Sequence, residues 1–462
     1  MKVVYLGNST KEEVEERIRE VSAAGRISRT KGKAYEVYEL KDDYEDNLKF
    51  IKRVIKMGHG SIAEHDYVFL SIDDVTPIVE HTLIGSRLAS FTVKSRREVD
   101  FRTNGFYVPE FRDNDGNVHK DNKHLKEIYI NHMNKLIDEY SKLVDSGVNL
   151  ENARYILPYC FNSNMFMGID VRGFVKLTKY LLHSKVSDIS ELKELGNKFV
   201  EIIDEYIPYM SDEVRKEYNR KINILEDIKI DKDIKIHDKV NLIGYTENPD
   251  LVVASTYIMQ EYQMSFEEAK ELINTMTKTH PTIIEDIIKN IISSEEQREL
   301  EQVNFRFEIP IPLAVRTHLE RHRMQSLITP DFVPLWDLKN YTVIPGLSEE
   351  LKNDYHKTFE ENRKTRDEFI EKGVNPNDLV YFYQAANMCN VTTNINGRSL
   401  VWISRMRCCN KAQLAIRKIV NEMCNEAKLV SPILGGGLGA TCDVFKVCNE
   451  GRESCGKILT KK

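Results

Sequence analysis

The sequence predicts an α+β chain built from two copies of one domain. Three observations predict it. Segments recur in register: VEHTLIGSRLAS at 79–90 matches VRTHLERHRMQS at 315–326, so that Val79, Leu83, Arg87 and Ser90 face Val315, Leu319, Arg323 and Ser326. Later segments recur in the same order, SGVNLENARYILP from Ser146 with KGVNPNDLVYFYQ from Lys372, then IDVRGF with INGRSL, which pairs Asp170 with Asn396 and Arg172 with Arg398. The openings also agree, KVVYLGN from Lys2 with KVNLIGYTEN from Lys239, and the spacing between partners stays within a narrow range. A repeat this long is a duplicated domain and not a solenoid unit. The seam falls near IDKDIKIHDK at 230–239, giving copies at 1–236 and 237–462.

Each copy opens on a strand, VVYL or NLIGY, by its short apolar β-forming run. A helix follows in the first copy, where KEEVEERIREVSAA places apolar residues at helical spacing. Alternating strands come next, DYVFLSI and VNFRFEIPI, and then long amphipathic helices around HLKEIYINHMNKLIDEYSKLV and SEELKNDYHKTFEENRKTRDEFI. Gly147 and Gly373 end those helices, as glycine does at a helix C-terminus. More helix closes each copy. Neither copy has a Gly-x-Gly-x-x-Gly after a strand, which argues against a Rossmann dinucleotide site. GGGLG at 435–439 follows SPIL without a helix pattern after it and reads as a flexible loop.

Bulk properties narrow the class. With 462 residues, 41% of them apolar, each copy can bury a full core. A net charge of −6 argues against a general nucleic-acid binder, so any anion site must be a local cluster. No run of about twenty apolar residues occurs, and MKVVYLGNSTKEEVEER turns charged too early for a signal peptide. The expectation is a soluble cytoplasmic protein without membrane contact. Seven of the eight cysteines follow residue 388, and Cys442, Cys448 and Cys455 are separated by five and then six residues. That spacing fits no common zinc pattern, so free thiols and no metal are expected.

Three clusters could carry chemistry. The segment GHGSIAEHDYVF gathers His59, Ser61, Glu64 and His65 before a strand, either as a capped turn or as a polar rim against a ring system. His59 and His65 lie six apart and share no helix face, which disfavours a metal pair. Ser95, Arg96 and Arg97, with Arg87 and Ser90, form a hydroxyl- and guanidinium-rich stretch suited to a nucleotide monophosphate, or a surface charge cluster. The third is RHRMQS at 321–326, where Arg321, His322 and Arg323 set three potential cations in a row. It reads as a solvated face or as a phosphate site, since arginine grips phosphate oxygens in two-pronged fashion and histidine can donate beside it. The two basic stretches align between the copies, which favours function.

Together these segments resemble the flavin-dependent thymidylate synthases. The family signature is Arg-His-Arg, two residues, Ser, four residues, Ser, one residue, Arg. A GHxSxxEH segment precedes it, and an ARxxLP element and an N-x-R…R helix follow. The pieces are split here. The first copy holds GHGSIAEH, Ser95, Arg97 and ARYILP with Arg154. The second holds Arg321, His322, Arg323 and Ser326, then NGRSLVWISRMR with Asn396, Arg398 and Arg407. The departures are complementary. Gly85, Ser86 and Arg87 stand at the Arg-His-Arg of the first copy, Asp170 stands where the family prefers Asn, and Leu181 stands at the late arginine. Asp331 and Val333 replace the signature's last Ser and Arg in the second copy, Val380 replaces the ARxxLP arginine, and of GHxSxxEH only Glu301 is kept.

The resemblance implies a thymidylate synthase-like fold in each copy and reductive methylation of dUMP to dTMP, with FAD as cofactor and NADPH and methylenetetrahydrofolate as co-substrates. It implies that Arg321, His322 and Arg323 bind the flavin dinucleotide's phosphates and that Asn396 and Arg398 hold the flavin. His59, with Ser61 and Glu64 in its segment, would contact the flavin ring and folate. The nucleotide phosphate would go to Arg87, Ser95, Arg97 and Arg154, and Arg407 would pair with the uracil carbonyl. Family members are homotetramers with interface sites, so two duplicated chains would form a homodimeric pseudo-tetramer with sites composite between the halves. Two other readings stay open: a flavoenzyme acting on another pyrimidine nucleotide, and a catalytically silent nucleotide-binding paralogue.

Overall fold

The computed structural model describes residues 1–7, 9–40, 43–219, 235–332 and 338–458. They form two compact units. One comprises the described residues within Met1–Ile234, Asp331–Lys339 and Val343–Ala385, the other those within Lys235–Pro330, Asn340–Thr342 and Ala386–Lys462. Among the described residues no helix is long and apolar enough to cross a membrane.

Each unit is built on a four-stranded antiparallel sheet. In the first, β1 (Lys2–Tyr5), β2 (Tyr67–Val75), β3 (Ala89–Val93) and β4 (Ser163–Asp170) lie in the order β1-β2-β4-β3. In the second, β5 (Asn241–Tyr245), β6 (Asn304–Pro312), β7 (Ser326–Ile328) and β8 (Met388–Asn396) lie in the order β5-β6-β8-β7. The registers correspond as well: Tyr67 faces Asp170 across β2 and β4, and Asn304 faces Asn396 across β6 and β8. The duplication predicted from sequence is therefore present as one topology made twice. Val68, Leu70 and Ile72 on β2, and Phe305, Phe307 and Ile309 on β6, are fully buried, because alternate strand positions point to one face.

The helices begin and end where local chemistry directs. Thr10 and Glu13 close a capping box on the helix Lys11–Arg26. The long helices Asn122–Asp145 and Glu349–Glu371 both finish in a Schellman turn. Gly147 takes φ +84° and Gly373 φ +82°, and the next amides, of Val148 and Val374, bond back to the carbonyls of Leu143 and Phe369. The helix Glu349–Glu371 belongs by sequence to the second copy, yet it packs beside Asn122–Asp145 in the first unit. His132 meets the Asn362 amide oxygen at 2.9 Å there, and Phe111 meets Phe369 edge-on at 5.1 Å between ring centres.

The glycine run is helical only in part: Gly435 and Gly436 end a short helix, while Gly437, Leu438 and Gly439 lie in the loop beyond it. Residues Pro432–Gly436 form a short helix whose start is held by Asp250, which accepts from the Ser431 hydroxyl at 2.6 Å and from the Ile433 and Leu434 amides at 3.0 Å. The carboxylate satisfies the amides that a helix start leaves unpaired. Asp250 lies far off in sequence, so no local pattern announces it.

Candidate active site

Both copies join the same two residues. In the first unit Glu64, on the turn Gly60–His65, accepts from Arg172 at 2.5 Å; in the second Glu301, on the turn Arg298–Gln302, accepts from Arg398 at 2.6 Å. Asp170 and Asn396 occupy the matching helix N-caps, accepting from the Gly173 and Ser399 amides at 2.8 Å each. An N-cap needs a short side-chain oxygen and tolerates either residue. Only Asn396 keeps an amide NH2 that can donate outward. His59 and Ser61, like Glu64 of this ion pair, are exposed. Asp66 anchors the segment from below: it is buried, accepts from the Tyr209 hydroxyl at 2.7 Å, and lies 3.6 Å from Arg17.

Two phosphate candidates of the first unit, Arg97 and Arg154, converge on Glu151. Arg97 donates through Nε to the Glu151 carboxylate, and its amide bonds the Ser95 hydroxyl at 3.3 Å. Arg154, 3% exposed, donates through Nε to the Glu151 carbonyl at 3.1 Å. Arg96, between two signature positions, reaches Glu80 at 2.8 Å. Glu80 is fully buried, and the contact is a charge contact without hydrogen-bond alignment. Burial, then Arg96 and Arg97, push the Arg154 guanidinium down to about 10. Three guanidiniums thus crowd two carboxylates, which leaves local positive charge that an anion would relieve. Arg87 stays on an exposed turn before β3. The pairing of these arginines with Glu80 and Glu151 is a through-space property that sequence spacing does not carry.

In the second unit the helix Leu313–Glu320 is buried along its whole length, with Arg316 paired internally to Glu320 at 2.8 Å. Arg321, His322 and Arg323 follow on the turn into β7. Gln325, 4% exposed, fastens that turn by donating to the Leu319 carbonyl at 2.7 Å and accepting from Thr393 at 2.6 Å. Arg321 and Arg323 are exposed, but His322 is not a third cation. Arg407 donates from Nε to His322 Nε2 at 3.0 Å, and burial and the Arg407 charge push the imidazole down to about 3. A neutral acceptor replaces the donor expected from sequence. The same contact brings together two predicted site residues, His322 and Arg407, that lie 85 residues apart.

The complementary losses have structural counterparts. Leu181, at the position of Arg407, is fully buried in the first unit, and Val380, at the position of Arg154, is fully buried too. Asp331 is exposed within the first unit, whereas Val333 lies outside the described residues. No group of three or more His, Cys, Asp or Glu side chains stands ready to hold a metal ion among the described residues.

Comparison with known proteins gives a consistent result. The family model described as "Thymidylate synthase complementing protein" matches residues 12–209 and again 241–433. The flavin-dependent thymidylate synthase of Clostridium tetani is 29% identical over 246 residues, covering 48% of this chain and 95% of that protein. That of Geobacter sulfurreducens is 30% identical over 132 residues, covering 28% of this chain and 54% of that protein. Among solved structures, thymidylate synthase X from Helicobacter pylori with FAD and dUMP is 19% identical, with a TM-score of 0.35, over 47% of this chain and 100% of its own. A UMP/dUMP methylase from Streptomyces cacaoi with 5-Br dUMP is 19% identical, with a TM-score of 0.39, over 46% of this chain and 93% of its own.

Proposed function

The chain belongs to the family of thymidylate synthase complementing proteins, and from that premise we propose that it is a flavin-dependent thymidylate synthase, methylating dUMP to dTMP with FAD, NADPH and methylenetetrahydrofolate. The observation that carries the nucleotide end is the crowding of Arg96, Arg97 and Arg154 around Glu80 and Glu151, with Arg154 lowered first by its burial and then by the neighbouring guanidiniums. A nucleotide monophosphate carries about two negative charges and several acceptor oxygens, which suits such a cluster. Glu151 takes the Nε side of Arg97 and so orients the fork. Ser95 adds a hydroxyl, and Arg87 lies on the turn that leads into β3.

The flavin end rests on the second copy. Arg321 and Arg323 on one exposed turn suit the two phosphates of a dinucleotide, and Asn396 and Arg398 sit at the matching helix start. His59, Ser61 and Glu64 are the candidates for the flavin and folate rim. FAD held by these residues would supply the reducing chemistry, with NADPH as the source of the hydride and methylenetetrahydrofolate as the source of the one-carbon unit. Arg407, held through Nε by neutral His322, presents its terminal nitrogens to the uracil carbonyl and stabilises the negative charge that develops there. No cysteine nucleophile is required. Burial pushes the thiols of Cys160 and Cys389 up to about 12 and about 11, which suits inert packing.

Each copy, 1–236 and 237–462, is proposed as one family domain, with two chains making a homodimer whose sites draw on both copies. This assembly rests on the complementary losses in the sequence. Purified protein should show flavin absorbance bands, and calorimetric titration with dUMP should count about two sites per homodimer, half those of a homotetramer of single domains. A colourless protein that ignores added FAD would sink the flavoenzyme reading. Four equivalent dUMP sites would place the phosphate in the wrong copy. A flavin-bearing protein deaf to dUMP would point to another pyrimidine nucleotide.

A further inference from the structure

Only the first copy keeps the segment GHGSIAEH, and a buried charged group beneath it has no part in the proposed reaction. Asp66 follows the segment directly, between the turn Gly60–His65 and β2, and is buried. One carboxylate oxygen accepts from the Tyr67 amide at 2.8 Å and stands 3.6 Å from Arg17 Nε. The other accepts at 2.7 Å from the hydroxyl of Tyr209, on the turn Pro208–Met210. Arg17, also buried, belongs to the helix Lys11–Arg26, which packs on the turn Gly60–His65. Its terminal nitrogens donate to the Tyr5 hydroxyl on β1 and to the Tyr206 carbonyl. Tyr5 in turn stacks on Tyr206 at 4.6 Å between ring centres. Burial first and the Asp66 charge second hold the Tyr209 phenol well above its ordinary value, so it stays a donor.

The second unit makes the same joint without this group. Tyr67 faces Asp170 and Asn304 faces Asn396, so Val303 stands at the position of Asp66. The backbone bond is the same in both: the Asp66 carbonyl accepts from the Val171 amide at 3.0 Å, and the Val303 carbonyl from the Gly397 amide at 2.9 Å. Val303 is fully buried, so an apolar side chain is enough to build the joint. A buried ion pair seldom stabilises more than packed apolar side chains do, because desolvation offsets the Coulomb attraction. The charged version stands where His59, Ser61 and Glu64 are present, and the apolar one where only Glu301 remains. The Val171 amide opens the helix Val171–His183, whose second residue, Arg172, meets Glu64. A shift at Asp66 would therefore move His59 and part Glu64 from Arg172.

We propose that Asp66 is a positioning residue: held by Tyr209 and Arg17, it fixes the turn Gly60–His65 in the setting that presents His59, Ser61 and Glu64 to the flavin. The proposal rests on the reading of those three residues as the flavin rim. Asp66 touches no ligand itself and acts through the turn. Its carboxylate is gripped from two sides by groups on different elements, the helix Lys11–Arg26 and the turn Pro208–Met210. Two anchors restrict the turn to one conformation before binding, and a group ordered beforehand loses less conformational entropy when its ligand arrives. That gives the buried charges a use that stability alone does not.

The test uses the full chain. Tyr209→Phe removes one hydroxyl donor and keeps the ring, and this mild change carries the test by itself. Arg17→Met with Asp66→Val removes both charges and copies the apolar joint of the second unit; a cooperative urea transition checks that it folds. Hydrogen exchange should quicken across residues 59–66 in both proteins, with the helix Asn122–Asp145 unchanged. FAD should bind about fivefold more weakly, on the order of one hydrogen bond's contribution, while dUMP affinity holds. Once His59→Ala and Glu64→Gln are in place, Tyr209→Phe should weaken FAD no further, whereas a merely structural role would add the same loss in either background. Unchanged exchange across residues 59–66 overturns the proposal, and so does an equal Tyr209→Phe loss in both backgrounds. If His59→Ala with Glu64→Gln leaves FAD affinity intact while Tyr209→Phe still quickens exchange there, Asp66 positions the turn and the flavin-rim reading falls instead.

Discussion

The neutral imidazole of His322 makes a measurable prediction. Its value falls from 6.5 to about 3 in the folded chain, through burial first and the Arg407 charge second. The folded state therefore resists a proton that the unfolded chain accepts as pH falls through 6.5. The sign follows: the contribution is complete above about pH 6.5 and is lost progressively as pH drops towards 3. Each unit of separation is worth about 1.4 kcal/mol, so going from pH 7 to pH 5 should remove about 2 kcal/mol through this one group. His322→Gln leaves an amide oxygen to accept from Arg407 and nothing to titrate. Urea unfolding of wild type and His322→Gln at both pH values isolates the effect: the wild type should lose about 2 kcal/mol more than the variant. In parallel, the ring carbon resonance of ¹³C-labelled His322, assigned by its absence from the variant, should stay in the neutral position down to pH 5. A resonance that titrates near 6.5, or an identical pH dependence in both proteins, would refute the Arg407–His322 contact. The same reasoning expects flavin affinity to be flat from pH 8 to pH 6, where an ordinary imidazolium donor would tighten it.

Other perturbations read other parts of the fold and site. Glu191, fully buried against Thr76 and Tyr381, is pushed up to about 7 by burial. Its penalty is absent below pH 4.5 and grows as pH rises through 7, so Glu191→Gln should gain up to about 3 kcal/mol over wild type at pH 8 and little at pH 4.5 in urea unfolding. Gly147→Ala and Gly373→Ala meet no atom within 4 Å, so only the positive φ opposes them; each should cost about 1 kcal/mol, and an unchanged urea midpoint would contradict the Schellman turns. Arg97→Ala should weaken dUMP about ten- to a hundredfold by calorimetry without loss of flavin. Arg321→Ala with Arg323→Ala should strip flavin from a folded protein, whereas retained flavin would count against the second-copy assignment.

The amino-acid sequence by itself determined what depends on neighbours along the chain. Two-residue alternation on β2 and β6, helical spacing after Thr10, and glycines at 147 and 373 are local signals, and the structure carries each as read. The duplication was legible for the same reason, since two copies that keep one pattern of local signals keep one sheet order. Tertiary structure decided what depends on distance through space. It set the charge of His322, because Arg407 stands 3.0 Å away across 85 residues of chain. It paired Arg97 with Glu151 and Arg96 with Glu80, and it started the helix Pro432–Gly436 where Asp250 folds onto its first amides. It placed the long helix Glu349–Glu371 in the first unit, beside the helix that matches it in the other copy. Burial and Coulomb energy follow separation in space, and a sequence records separation only along the chain.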